Sequence, residues 1–241
     1  MLLARRSAVQ LERALPLLDT HLVGSFEAAV DPATCAAWVR GVYAARDAWI
    51  GSFGDSQWTL GRAWYTDLEE ERAREYFESA RDSDALVEAH MPGMQARVRA
   101  LVGAFVGATP VIRDGWCGPG VHIFPAGEEV ARDGGVMHFD TEGLAPAHLA
   151  ARAPALSLVL MLQPPDAGGG LRVWDLKYAG SDEAPPEASG APSVVARYGV
   201  GDLVAIDSYR LHQIQAFGGE RDRVSVTCHA AFTAGRWETW F

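Results

Sequence analysis

The chain has 241 residues, 49% hydrophobic, 22% charged and 10% aromatic, a globular composition that excludes disorder, collagen-like repeats and a disulfide scaffold. A formal net charge of -10 argues against a nucleic-acid partner, which demands a basic surface, and against docking on anionic membranes. The longest apolar run, Ala155 to Leu162, is too short to span a bilayer. Cys35, Cys117 and Cys228 show no CxxC spacing, and Glu12 and Arg13 interrupt any signal-peptide core after Met1 to Arg6. A reduced, cytoplasmic setting is the expectation.

In chain order, Asp31-Pro32 supplies a cap and a first-turn proline for a helix reaching Ile50. The aromatic, glycine-rich stretch Gly51 to Tyr65 follows, either a loop packed by its own rings or a wall of a substrate pocket. A second helix is predicted from Thr66-Asp67 to about Ala89, with an acidic first turn, and a third from Met94 to Val106. From Val111 the texture changes to short β runs: Gly120–Phe124, Leu156–Leu162, Leu171–Trp174, Val194–Tyr198, Leu203–Ile206 and Arg223–Ala231. Asp166 to Gly170 reads as a turn and Gly180 to Pro192 as a surface excursion. The order predicts an α+β chain with one domain over residues 1–241. Residues 1–110 form mainly helical support and a substrate loop, and residues 111–241 form an antiparallel sandwich or barrel.

Among seven histidines, one begins an His-x-Asp triplet, His138-Phe139-Asp140. In extended chain, residues i and i+2 project to one side, so imidazole and carboxylate can grip one ion. His212, read as the end of an apolar strand, is the candidate third ligand. Two imidazoles and a carboxylate suit Fe(II) oxygen chemistry. In the last strand Arg223, Ser225, Thr227 and His229 share a polar face, and a guanidinium beside a hydroxyl is suited to holding a carboxylate. Arg223 could instead pair with Asp202, Glu220 or Asp222, and Arg221 is its nearest competitor.

The set His138-x-Asp140, His212 and Arg223-x-Ser225 resembles the signature of the Fe(II)/2-oxoglutarate-dependent dioxygenases, in their double-stranded β-helix (jelly-roll) fold. The resemblance spans about Val111 to Phe241 and includes Leu158 to Leu162 and Gly168 to Trp174. It implies a jelly-roll core with the helical N-terminal half packed on it. His138, Asp140 and His212 would be catalytic iron ligands, and Arg223, with Ser225 assisting, would hold 2-oxoglutarate. Dioxygen would be the second co-substrate. Asp140 stands where related halogenases carry a small residue, which argues against halogenation. Many relatives place a tyrosine on the strand before the His-x-Asp turn. Here Val121-His122-Ile123-Phe124 stands in that place, so His122 or another residue takes over that contact.

The resemblance implies an oxygenase that hydroxylates or oxidatively cyclises a small molecule, in class a secondary metabolite, with Trp58, Trp64 and Tyr65 suited to a sugar-bearing or aromatic substrate. The alternatives are an amino-acid or protein side-chain (prolyl-type) hydroxylase and a non-catalytic jelly-roll binding protein. Neither a nucleic acid nor a membrane is expected as partner, and the sequence assigns no oligomeric state.

Overall fold

The computed structural model describes residues 2–241. Its larger sheet orders the strands Leu3–Ser7, Val23–Glu27, Leu203–Asp207, Ala155–Gln163, Arg223–Thr233, Gly120–Phe124, Gln57–Leu60 and Ile50–Ser52. Arg236–Trp240 also pairs with Arg223–Thr233. A smaller antiparallel sheet runs Ser193–Ala196, Leu171–Lys177, Arg210–Ile214. The mixed α/β architecture, with its large antiparallel sheet, is consistent with the expected jelly-roll core.

Period-two alternation divides the larger sheet into two working faces. Leu156, Leu158, Leu160 and Leu162, with Val224, Val226, Cys228 and Ala230, point into one buried cluster. The helices Pro32–Ala44, Ala80–His90 and Met94–Val106 cover them with Trp38, Val42, Val87, Val98, Val102 and Phe105. The opposite face carries Ser157, Val159, His122, Arg223, Ser225, Thr227 and His229, all of which line one cavity. Val23, Val204 and Ile206 pack there against Leu171, Val173 and Ala196 of the smaller sheet. The apolar alternate side chains therefore anchor the strands to the helices and leave the polar ones facing inward.

The first 110 residues are less helical than the sequence predicts. They contribute four strands of the larger sheet: Leu3–Ser7 and Val23–Glu27 at one end, Ile50–Ser52 and Gln57–Leu60 at the other. These short runs are held by remote partners, Val23–Glu27 by Leu203–Asp207 and Gln57–Leu60 by Gly120–Phe124. Local periodicity carries no trace of such pairing. The first helix starts as predicted, with the Asp31 carboxylate accepting from the Thr34 N–H at 2.9 Å, but it stops at Ala44. The second divides into Trp64–Glu69, Ala73–Glu78 and Ala80–His90. Buried Asp67 accepts from Arg62 at 2.9 Å and Arg72 at 2.8 Å across the first break, where Glu71 takes a φ of 57°. The third, Met94–Val106, falls where predicted between Gly93 and Gly107. Among the described residues no helix is long and apolar enough to cross a membrane.

Candidate metal and co-substrate site

His138 and His212 meet through a two-residue β-bridge, each backbone N–H donating to the other's carbonyl at 3.0 Å. His212 lies inside Arg210–Ile214, beyond a turn at Ser208-Tyr209, and not at the end of the preceding strand as the sequence reading has it. The backbone N–H of Asp140 donates to the carbonyl of Ser208 at 3.0 Å, which fixes the carboxylate against the same turn. Two distant segments thus converge by main-chain hydrogen bonds.

Each imidazole is oriented by its own chain. Nδ1 of His138 donates to the Val136 carbonyl at 2.8 Å, and Nδ1 of His212 to the Arg210 carbonyl at 2.9 Å. A carbonyl can only accept, so a proton sits on Nδ1 of each ring and Nε2 is the nitrogen left to face a metal. Nε2 of His138 lies 3.5 Å from one oxygen of Asp140, and Nε2 of His212 lies 3.3 Å from the other. One ligand atom from each of the three residues falls within 4.8 Å of the others. Burial, and next the neighbouring His212, push His138 down to about 4, favouring its neutral, ligating form. Burial would raise Asp140, but His212, His229 and His138 hold it well below the usual carboxylate range. The arrangement of two neutral-capable imidazoles and a carboxylate fits a ferrous ion.

Arg223 lies in the same cavity, 1% exposed. Its Nε donates to the Gly169 carbonyl at 3.1 Å and one terminal nitrogen to the Ser225 hydroxyl at 3.0 Å. The rings of Phe124 and Tyr198 flank the guanidinium at 5.4 and 5.5 Å. The nearby acids are engaged elsewhere. Asp222 accepts from the Tyr43 hydroxyl at 2.8 Å, Asp202 from the Ala28 N–H at 3.0 Å, and the competitor Arg221 is bound to Asp166. Among the described residues Arg223 therefore has no carboxylate partner, an expensive state for a buried charge. Nδ1 of His122 and the Tyr198 hydroxyl are also buried without hydrogen-bond partners among the described residues. A buried cation, a hydroxyl and two orphaned polar atoms make a fitting cradle for a dicarboxylate keto acid.

The cavity measures about 300 Å³. Val159, Leu171, Ile206 and Ile214 form apolar walls, and Phe53, Gln57, Tyr65, Glu129 and Val136 also line it. Of the three aromatic residues expected on the substrate wall, Tyr65 lines the cavity, its ring stacked at 5.9 Å on His138. Trp58 does not. It lies opposite Ile123 on the helix-facing side of its strand, 6.4 Å from the Trp49 ring, while its neighbour Gln57 faces the cavity. Trp64 packs among Tyr76, Phe77 and Trp116, and meets only a narrow cleft beside Asp140 and His229. Tyr198, absent from the sequence reading as a site residue, lies two residues past the strand Ser193–Ala196 of the smaller sheet. Its only sequence signal is its place at the close of an apolar run.

No family model matches the sequence, and no curated protein matches it. Solved structures do match the fold. One is the epimerase SnoN in complex with Fe3+, alpha ketoglutarate and nogalamycin RO, with a TM-score of 0.61 at 14% identity, covering 92% of this chain and 86% of that one. Another is an N-substituted L-amino acid dioxygenase from Burkholderia ambifaria AMMD, with a TM-score of 0.61 at 16% identity over 97% and 91% of the two chains. A third is a prolyl hydroxylase from Trichoplax adhaerens in complex with a hypoxia inducible factor peptide fragment, with a TM-score of 0.53 at 12% identity over 91% and 88%. The chain thus has the fold of the Fe(II)/2-oxoglutarate-dependent oxygenases.

Proposed function

We propose that the protein is an Fe(II)/2-oxoglutarate-dependent oxygenase acting on a small molecule, by hydroxylation or oxidative ring closure. The observation that carries this reading is the buried Arg223, without a carboxylate partner among the described residues, in one cavity with three mutually facing ligand atoms. A ferrous ion held by His138, Asp140 and His212 would supply dioxygen activation coupled to oxidative decarboxylation of the keto acid.

The protein's own work is binding, orientation and exclusion of water. The carbonyls of Val136 and Arg210 hold both rings in the ligating tautomer. Arg223 and Ser225 take the distal carboxylate of 2-oxoglutarate by charge-assisted hydrogen bonds. Neutral His122, paired in register with Ser225, offers a further polar contact. The apolar walls keep water from the reacting centre, and Phe53, Gln57 and Tyr65 orient the substrate. Arg223 is the one Lys or Arg among the lining residues, so with 2-oxoglutarate seated a substrate carboxylate finds no second cation. This favours a neutral or amine-bearing metabolite over a free amino acid.

The test is succinate release from 2-oxoglutarate by purified protein with Fe(II) and ascorbate. Turnover in the native protein and its loss, together with iron binding, in His138→Ala is the expected result. Absence of both iron binding and succinate from the native protein would replace the reading with that of a binding module.

A further inference from the structure

A third histidine adjoins the candidate metal ligands and belongs to neither set. His229 projects from Arg223–Thr233 on the same face as Arg223, six residues on. Its Nδ1 lies 3.2 Å from the Ser157 hydroxyl, which lies 2.9 Å from the Ser208 hydroxyl. The same nitrogen is 3.9 Å from the Asp140 oxygen that faces His212. Trp240 stacks on the ring at 5.8 Å with an interplanar angle of 28°, which fixes its plane.

We infer that His229, resting on Ser157 and Ser208, is a positioning residue that sets the orientation of the Asp140 carboxylate for metal binding. This rests on the proposed iron site. Ser208 acts on Asp140 twice. Its carbonyl accepts from the Asp140 backbone N–H at 3.0 Å, and its hydroxyl begins the chain that reaches the carboxylate through Ser157 and His229. The negative charge of Asp140 favours the tautomer with its proton on Nδ1, the nitrogen facing both Ser157 and the carboxylate. At 3.9 Å the contact is electrostatic and not a hydrogen bond. It attracts one oxygen toward His212 and His229 and leaves the other, 3.5 Å from His138, free to turn to an ion. Partners one shell out from a metal commonly govern its affinity in this way.

The experiment is Co(II) titration of the full chain, followed by visible absorption, for the native protein, His229→Leu and His229→Asn. Thermal midpoints are measured without metal. Asn places an amide N–H near the position of Nδ1, whereas Leu keeps volume and loses the donor. The inference expects His229→Leu to weaken Co(II) binding by about 10- to 100-fold, and His229→Asn to stay within about threefold of native. A purely packing role would lower the metal-free thermal midpoint of the Leu variant and leave its affinity unchanged, and that result overturns the inference. An Asn variant as weak as Leu also overturns it. Should His229→Leu fail to fold, Ser157→Ala replaces it: weaker Co(II) binding supports the inference, native affinity refutes it. If the native protein itself binds no Co(II), the iron-site reading fails, an outcome distinct from native binding that His229 does not influence.

Discussion

Replacing Arg223 by methionine separates binding from stability. The guanidinium is buried, donates to the Gly169 carbonyl and the Ser225 hydroxyl, and has no carboxylate partner among the described residues. In the ligand-free protein its desolvation is therefore poorly compensated. Met keeps an apolar stem and removes the charge, at the cost of the guanidinium's stacking between the Phe124 and Tyr198 rings and of one orphaned carbonyl. The two effects oppose each other, so the metal- and ligand-free variant should lie within about 1 kcal/mol of native stability. Binding should respond quite differently. Losing a forked, charge-assisted contact to the distal carboxylate costs about 3–4 kcal/mol, between two and three orders of magnitude in affinity. Urea melts with Mn(II), with and without 2-oxoglutarate, read both quantities. At 100 Kd the keto acid should add about 2.7 kcal/mol to the native protein and almost nothing to Arg223→Met. A variant that keeps the native ligand-induced gain, or one destabilised by more than about 3 kcal/mol without ligand, would refute the reasoning.

Two further outcomes follow from burial. Desolvation, and next the charges of His229 and Arg223, push His122 down to about 3, against 6.5 for a free imidazole. The unfolded chain then binds the proton more readily, so this stability is complete above pH 6.5 and is lost as pH falls toward 3. Between pH 7 and pH 5 the loss amounts to about 1–2 kcal/mol, allowing for the ring's partial exposure, and His122→Asn should flatten that part of the metal-free stability profile. An unchanged slope would show that His122 does not contribute. At Gly120 an added Cβ would stand 2.1 Å from the ring of buried Phe241. Gly120→Ala should cost about 1–3 kcal/mol in urea unfolding, with Phe241→Leu recovering part of it; additive losses would count against the clash.

The residues able to carry chemistry were legible in the chain itself, because their spacing has direct geometric meaning. His138 and Asp140 sit two apart in extended chain, and alternation along 223–229 puts a guanidinium, two hydroxyls and an imidazole on one face while Val224, Val226 and Cys228 take the other. The strands at Leu156–Leu162 and Leu203–Ile206 were readable for a different reason, as apolar runs largely buried on both faces. Only the tertiary structure decided which rings meet the substrate. Gln57 and Trp58 are adjacent, and the pairing of their strand with Gly120–Phe124 alone turns the amide inward and the indole toward the helices. It also decided that four short N-terminal segments become strands, that Tyr198 arrives beside Arg223 from the segment after Ser193–Ala196, and that His229 stands next to Asp140. Each of these depends on hydrogen bonds or packing between segments far apart in the chain, and such contacts leave no local period to read.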